Sequence, residues 1–337
     1  MRGDTPTQAT ILFPISIEAR IPAAHPLRRI KQHADAMLAA MSPTFDAIYS
    51  RTGRPSIPPE RLLKAHVLMA LFTIRSERRL CEELEFNFLY RWFLDLHADE
   101  PVWDPSTFTY ARERLFKKDD ANTDPPSGGR NEWVDFSGET RTNDTHESIT
   151  DPDAKLVRKG NGREARLSFA AHALMDNRHG LARDFWVTSA VGISESEAAL
   201  AMLDGAGIRG KIGKTITVGA DKGYDTRAFV DGCRERGITP HVARRKRGTS
   251  LDDATAATAG YAMSQRIRKT IEEIFGWVKT TGNFRKTRLR GIDKVQMAGY
   301  LVATAYNILR IARLLAAKEM DTAPPGLPAA LPITFAA

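Results

Sequence analysis

The sequence predicts two structural parts, an all-helical N-terminal module and an α/β domain with a mixed sheet. Between residues 20 and 116, apolar residues recur at three- and four-residue spacing, which is typical of packed helices. From residue 163 to 318, a hairpin pattern is followed by strands that alternate with helices. Residues 117–162 are polar and predict a linker, and residues 319–337, rich in Pro and Ala, predict a disordered tail.

Capping and turn signals divide the N-terminal module into helices. Prolines are tolerated in a first helical turn, so Pro58 and Pro59 favour a helix start, and Ser76 and Asp104 are good N-caps for later helices. A small helical module with exposed arginines can dock on DNA, but helical bundles of other function share this pattern. The predicted helices are Leu27–Ser50, Pro58–Ile74, Glu77–Asn87 and Phe108–Phe116, with further core residues at Leu89–Leu94.

The polar linker is longer than a compact domain normally contains. Within it, only Trp133–Phe136 is apolar enough to suggest a short strand, and this stretch includes Asp135. A polar segment of this length is therefore unusual within a compact protein.

The polarity pattern also gives the order of elements in the α/β domain. A tight turn at Asp176–Gly180 joins two predicted strands, Arg166–Met175 and Leu181–Thr188. The basic loop Arg244–Arg247 is followed by a flexible Ala-, Thr- and Gly-rich stretch. The other predicted elements are strands at Thr215–Ala220 and Thr239–Val242 and helices at Ser194–Leu203, Thr226–Arg236, Gln265–Thr280 and Val295–Ala317.

The positive charge of the chain is localised. The formal net charge is +8, and residues 241–290 hold twelve Lys or Arg against four Asp or Glu, which is the same excess. A charge distribution of this kind is typical of a nucleic-acid-binding face, although a solvated basic surface gives the same pattern.

Cysteine usage and hydropathy indicate the cellular setting. Cys81 and Cys233 match no zinc or redox spacing, as in a reduced intracellular protein. The N-terminus lacks a basic region followed by an apolar core, and polar residues interrupt the longest apolar stretches. We therefore expect a cytoplasmic protein without a membrane partner.

Two carboxylates stand in settings that suit phosphoryl transfer. Asp221 ends a buried strand, where open α/β sheets place functional groups, although a turn residue or a helix cap is an alternative and Asp225 is better placed as that cap. Glu272 shares a predicted helix face with Arg268 and Lys279, where it could also belong to a surface ion-pair ladder, and Glu273 competes for its role. A pair of Mg²⁺ ions needs several carboxylates, so this chemistry requires a third acid.

At these positions the chain resembles bacterial insertion-sequence transposases with an Asp-Asp-Glu triad. Gln265-x2-Arg268-x3-Glu272-x6-Lys279 matches three of the four fixed positions of their Tyr-x2-Arg-x3-Glu-x6-Lys signature, with Gln265 at the Tyr position. Gly219–Asp225 is similar to their second-Asp motif, and Ile271–Trp277 resembles the insertion sequence five group in particular. The resemblance extends from about Pro26 to Leu315 and includes Asp135–Glu139 and Asn143–Ser148.

The resemblance implies a ribonuclease-H-like (retroviral-integrase-like) catalytic domain. Asp221 and Glu272 would be its second and third acids and would ligate Mg²⁺ or Mn²⁺ for attack on a phosphodiester. The implied partners are double-stranded DNA, both element ends and target, and further copies of the chain assembled on DNA. The implied ligands of DNA phosphates are Arg268, Lys279, Arg285, Lys286, Arg288 and Arg290.

The departure from the family pattern concerns the first acid. Family members carry it on a central Val-Asp-Gly-Thr strand after the helical module, whereas here Ala111–Phe116 runs directly into Lys117–Asp120. We interpret this junction as an internal deletion. Asp135 is the nearest substitute but falls in the linker, and Asp104 is interpreted as a helix cap.

The sequence therefore predicts a transposase copy that lacks strand cleavage and strand transfer and binds metal weakly. Two alternatives remain open at this stage: a truncated DNA-binding protein that represses transposition, and a general nuclease of the same fold.

Overall fold

The computed structural model describes residues 16–49, 56–115, 142–143, 147–158, 164–210 and 215–322. Its helices are α1 Ile17–Arg20, α2 Pro26–Ile48, α3 Pro59–Leu71, α4 Glu77–Phe86, α5 Phe88–Phe93, α6 Pro105–Leu115, α7 Glu195–Gly205, α8 Arg227–Glu235, α9 Asp253–Ala256, α10 Ala259–Ile267, α11 Ile271–Lys279 and α12 Ile292–Thr322. Its strands are β1 Lys155–Val157, β2 Arg166–Met175, β3 Ala182–Ser189, β4 Ile216–Ala220 and β5 Ile238–Val242.

Helices α1 to α6 form the predicted helical module, and the helix predictions are confirmed to within a few residues. Ser76 Oγ accepts the N–H of Arg79 at 3.2 Å and caps α4, and Asp104 Oδ1 accepts the N–H of Ser106 at 2.8 Å at the start of α6. Helix α3 ends at Leu71 rather than Ile74 because Thr73 adopts a left-handed φ of 54°. The core is made of fully buried aliphatic and aromatic side chains, among them Leu27, Ile30, Leu62, Leu68, Leu80, Leu84, Phe93 and Phe108.

Buried charges in the helical module are matched by polar partners. Lys64 is only 3% exposed, and its Nζ donates to Asp35 Oδ1 at 2.8 Å and to Asp95. Arg91, also 3% exposed, donates to the backbone carbonyls of Leu84 at 2.8 Å, of His97 at 2.7 and 3.0 Å, and of Glu100. These contacts offset the cost of removing the cations from water.

The α/β domain contains two small sheets. The predicted hairpin is confirmed: β2 pairs antiparallel with β3, and β1 pairs antiparallel with β2 at Arg166–Ser168. Strand β4 pairs in parallel with β5, from Ile216 opposite Ile238 to Ala220 opposite Val242. Across the described ranges, no strand pairing joins the three-stranded sheet to the two-stranded one.

Part of the predicted linker is folded, so that prediction was wrong for its last residues. Besides strand β1, Asn143 exchanges two hydrogen bonds with the backbone of Leu156, at 2.7 and 2.9 Å. The Asp153 carboxylate accepts the N–H of Ile292 at 2.8 Å, more than a hundred residues away. The sequence pattern missed this segment because its contacts are long-range. Asp135 and the strand suggested at Trp133–Phe136 lie outside the described residues.

Helix α12 connects the two parts of the molecule. It starts before the predicted Val295 and continues to Thr322, so residues 319–322 of the predicted tail are helical. By length and composition alone, Ile292–Lys318 could cross a membrane. Its apolar side chains instead pack in two protein cores: Ala305, Ile308, Leu309 and Ala312 lie in the helical module, and Val295, Val302, Ala303 and Tyr306 contact the α/β domain. This packing explains the apolar composition of the helix.

Candidate active site

Asp221 lies at the carboxyl end of β4, as the sequence predicted. Its side chain is exposed, and its Oδ1 accepts the N–H of Gly223 at 2.7 Å at the start of a short 3₁₀ turn, Lys222–Tyr224. A Cβ atom at Gly223 would lie 3.0 Å from the same Oδ1, so a side chain there would crowd the carboxylate. No salt bridge to Asp221 occurs in the part of the chain that the structure describes. The carboxylate is therefore available to a ligand.

The expectation that Asp225 caps the next helix was wrong. Thr226 is the N-cap of α8, and its Oγ1 accepts the N–H of Phe229 at 3.3 Å. Asp225 is 1% exposed and accepts the N–H of Arg245 at 2.7 Å and of Ser250 at 2.8 Å. Burial acts to raise the pKa of Asp225, but these backbone hydrogen bonds outweigh it and lower the pKa below its ordinary value. Asp225 thus fixes the loop after β5 to the loop after β4.

Helix α10 is fixed to β5 by side-chain contacts. The Gln265 amide donates to the carbonyl oxygen of His241 at 2.6 Å and accepts from Arg268 Nε at 2.9 Å. Buried His241 and Ser264 share a hydrogen bond of 2.7 Å, and the Tyr261 hydroxyl donates to the Val242 carbonyl at 3.0 Å. The stretch before Gln265, predicted to be flexible, therefore holds α9 and α10 against the sheet, because its polar side chains cap and anchor these helices.

Arg268 lies beside the strand that carries Asp221. A Cβ atom at Gly219, two residues before Asp221, would lie 3.4 Å from Arg268 Cβ. The single predicted helix Gln265–Thr280 is interrupted by a 3₁₀ turn at Arg268–Thr270. The prediction of one continuous α-helix over these residues was therefore wrong, because a 3₁₀ turn has three residues per turn rather than 3.6.

The structure distinguishes Glu272 from Glu273. Glu273 Oε2 lies 3.4 Å from Arg310 Nη1, and Arg310 Nε also donates to the His179 carbonyl at 2.9 Å. Glu272 is exposed and makes no hydrogen bond or salt bridge with any residue in the described ranges. Buried Ile274 and Val278 hold the opposite side of α11 in the core. Of the two carboxylates, Glu272 is the one left free for a ligand, although no contact links it to Asp221.

The predicted phosphate ligands downstream of Glu272 lie on the surface. Lys279, the last residue of α11, places its Nζ 5.6 Å from the ring centre of Phe275. The segment between α11 and α12 carries four exposed cations that form no salt bridge with described carboxylates: Arg285, Lys286, Arg288 and Arg290. This arrangement leaves their charges available to an anionic partner.

Sequence reasoning missed the role of Arg245. Its Nε donates to the Lys222 carbonyl at 3.2 Å and its Nη2 to the Gly223 carbonyl at 3.3 Å, so its guanidinium holds the turn that follows Asp221. The only sequence signal was its membership of the basic loop, because the contact joins residues more than twenty positions apart.

The described side chains do not fit a two-metal site. Within the ranges that the structure covers, no group of three or more His, Cys, Asp or Glu side chains is arranged to hold a metal ion. Asp221 and Glu272 supply only two carboxylates, whereas paired divalent cations need several oxygen ligands.

Two family models match the chain and correspond to its two parts. The Transposase domain (DUF772) model matches residues 15–114, which include the helical module, and the Transposase DDE domain model matches residues 144–308. No curated protein and no solved structure matches the chain. The chain is therefore an insertion-sequence transposase of the DDE family, a family of enzymes that act on DNA and use divalent metal ions. The DDE domain implies a ribonuclease-H-like fold, in agreement with the mixed helices and sheets that follow the helical module.

Proposed function

We propose that this transposase, a member of the insertion sequence five group, binds DNA but does not cleave or join strands. In this proposal, an internal deletion near Phe116 has removed the strand that carries the first acid. Asp221 and Glu272 remain as the second and third acids, and their affinity for Mg²⁺ or Mn²⁺ is low.

The observation that carries the proposal is the set of acids around Asp221. Cleavage of a phosphodiester through two metal ions requires several carboxylates to hold the ions. The described residues offer Asp221 and Glu272, each exposed and without a cationic partner, and bring no third acid to them. Two divalent cations would place four positive charges beside two negative ones, so we expect weak metal binding.

The sheets support the same proposal. Strand β4 has one strand partner, β5, and Phe169–Met175 of β2 has one, β3, within the described part of the chain. A central strand that joined both would complete a single mixed sheet and would present its own acid near Asp221. Its loss would also remove backbone hydrogen bonds from the sheet.

The basic surface supports retention of DNA binding. Arg268 lies beside β4, and five exposed cations follow Glu272 in the chain: Lys279 at the end of α11 and the four between α11 and α12. Such side chains bind phosphates through charge and release counterions, so affinity falls steeply with salt. We propose that the protein acts in the bacterial cytoplasm, binds element ends and target DNA, and self-associates on DNA.

A combined retention and cleavage experiment tests the proposal. The purified chain is incubated with supercoiled plasmid that carries the ends of its insertion sequence, in Mg²⁺ or Mn²⁺, beside an intact transposase of the same group. We expect salt-sensitive retention of the plasmid and no nicking above the level of Asp221→Ala. Mg²⁺-dependent nicking by the chain that Asp221→Ala abolishes would contradict the proposal, and nicking indifferent to element ends would indicate a general nuclease.

A further inference from the structure

We propose that the basic loop Arg244–Arg247 binds the sugar-phosphate backbone of DNA beside the turn that carries Asp221. This inference rests on the proposed DNA binding at the Asp221 edge and assigns it a surface beyond Arg268 and Lys279. The loop follows β5, the parallel partner of β4, so both strands end at the same edge of the sheet.

The loop is fixed to the Asp221 turn rather than merely close to it. Beyond the β4–β5 ladder, the N–H of Ala243 donates to the Ala220 carbonyl at 3.0 Å. Buried Asp225 then holds the N–H groups of Arg245 and Ser250, at 2.7 and 2.8 Å. Leu251, 2% exposed, anchors the end of the loop. A rigid connection of this kind limits the entropy lost when a ligand binds both loops.

The four cations of the loop have different local partners. Arg245 donates to the carbonyls of Lys222 and Gly223, so it positions the turn after Asp221. Arg244 forms a salt bridge of 2.8 Å with Asp253. Lys246 and Arg247 are exposed and have no carboxylate partner among the residues that the structure describes. These two side chains are therefore available to phosphates.

The chemistry of the surface favours a DNA backbone over a metal or a small anion. Two adjacent exposed cations on a surface loop suit repeated phosphates along a strand. Because Asp225 and Arg245 link this loop to the Asp221 turn, a strand held by Lys246 and Arg247 would run past the Asp221 carboxylate. Arg245 would then act as a positioning residue that fixes the Asp221 turn relative to the bound strand.

Removal of the two free charges tests the inference. The dissociation constant of a fluorescein-labelled random-sequence DNA duplex is measured from low to moderate salt for the parent, Lys246→Gln/Arg247→Gln, and a control pair on the β2–β3 hairpin, Arg166→Gln/Arg178→Gln. Each lost phosphate contact lowers the salt slope by about one, so we expect the loop variant to lower it by about two. The control variant loses the same charge and should keep the parent slope.

A second measurement locates the contact. Cys81 and Cys233 are buried, so Lys246→Cys can be labelled selectively with a photoactivatable aryl azide, with Arg178→Cys as the control. We expect crosslinking to the duplex from position 246 and little from position 178. If the parent binds DNA but the loop variant keeps the parent salt slope, the inference is wrong and the proposed function stands. Equal crosslinking from positions 246 and 178 would have the same meaning. Failure of the parent to bind DNA would overturn the proposed function and the inference together.

Discussion

Some charged side chains are buried and paired in the helical module, whereas others are exposed and, in the described part of the chain, unpaired at the carboxyl edge of β4 and β5, where Asp221 lies. In the module, Lys64 and Arg91 are buried, and carboxylates or backbone carbonyls match their charges. At the edge, Asp221 and Arg247 are exposed and lack charged partners within the described residues, as does Glu272 on α11. Buried charges must be paired to be tolerated, whereas exposed free charges cost little stability and remain available to a ligand. The contrast separates positions that maintain the fold from positions that we propose to serve the active site and DNA binding.

The same substitution in both regions should give the largest difference. Arg91→Met removes the donors to the carbonyls of Leu84, His97 and Glu100, so we expect the free energy of unfolding to fall by about 3 kcal/mol. Arg247→Met should change it by less than about 0.5 kcal/mol and weaken DNA binding instead. Urea unfolding followed by circular dichroism measures the first effect. Equal destabilisation by both variants would invalidate the contrast.

The pH dependence of stability should report a residue of the helical module. Burial lowers the pKa of His66 from 6.5 to about 4, with its Nδ1 2.7 Å from the Leu62 carbonyl oxygen. The unfolded chain binds the proton more tightly, so stability is full above about pH 6.5 and falls as pH decreases towards 4. We expect this residue to account for about 3 kcal/mol of that fall. In His66→Leu, the free energy of unfolding measured between pH 4 and 6.5 should fall less with decreasing pH, because the contribution of His66 is gone. An unchanged pH slope would show that His66 is not its source.

Asp225 belongs to the α/β domain but should behave like the buried charges of the module. In Asp225→Asn the amide oxygen can still accept one of the two N–H groups, but the amide nitrogen faces the other as a second donor. We therefore expect the free energy of unfolding to fall by about 1–2 kcal/mol. The folded pKa of Asp225 lies below its ordinary 3.8, so its contribution is present above about pH 4 and is lost as pH falls through the lowered value. Asp221→Asn, which keeps a cap on an exposed turn, is the matched control and should retain stability. Equal losses at neutral pH would show that Asp225 does not fix the loops.

The smallest expected effect separates the two adjacent glutamates of α11. Glu273→Gln removes the partially exposed ion pair with Arg310 and should cost about 0.5 kcal/mol, whereas Glu272→Gln should leave the free energy of unfolding unchanged. Thermal unfolding of the two variants at low salt measures the difference. A greater loss from Glu272→Gln would mean that Glu272 has a structural partner.

The sequence predicted the elements whose signals are local. Ser76 caps a helix as predicted, and Ser194 caps the helix that was predicted to start there. The hairpin turn at Asp176–Gly180 lies where the turn residues indicated. Asp221 was recognised because it ends an apolar strand. These features depend on neighbours within a few residues, which is the range over which a single sequence carries information.

The remaining features depend on distant neighbours. The Asp153–Ile292, Arg245–Lys222 and Glu273–Arg310 contacts each join separate elements. Asp225 and Thr226 are both good helix caps, and only the burial of Asp225 against the next loop decides between them. The 3₁₀ turn before Glu272 likewise has no proline or glycine to mark it. Such choices are made by tertiary packing, which local propensity cannot encode.

Restoration of the missing segment tests most directly the claim that Asp221 and Glu272 are two members of an incomplete triad. The helix and first-acid strand of an intact transposase of the same group are inserted between Phe116 and Lys117, and Mg²⁺-dependent nicking of element ends is measured. We predict that the original chain does not nick and that the restored chain does. Asp221→Asn or Glu272→Gln should abolish nicking in the restored chain, whereas Glu273→Gln should retain it. Nicking by the original chain, or nicking by the restored chain that survives Asp221→Asn, would contradict the account.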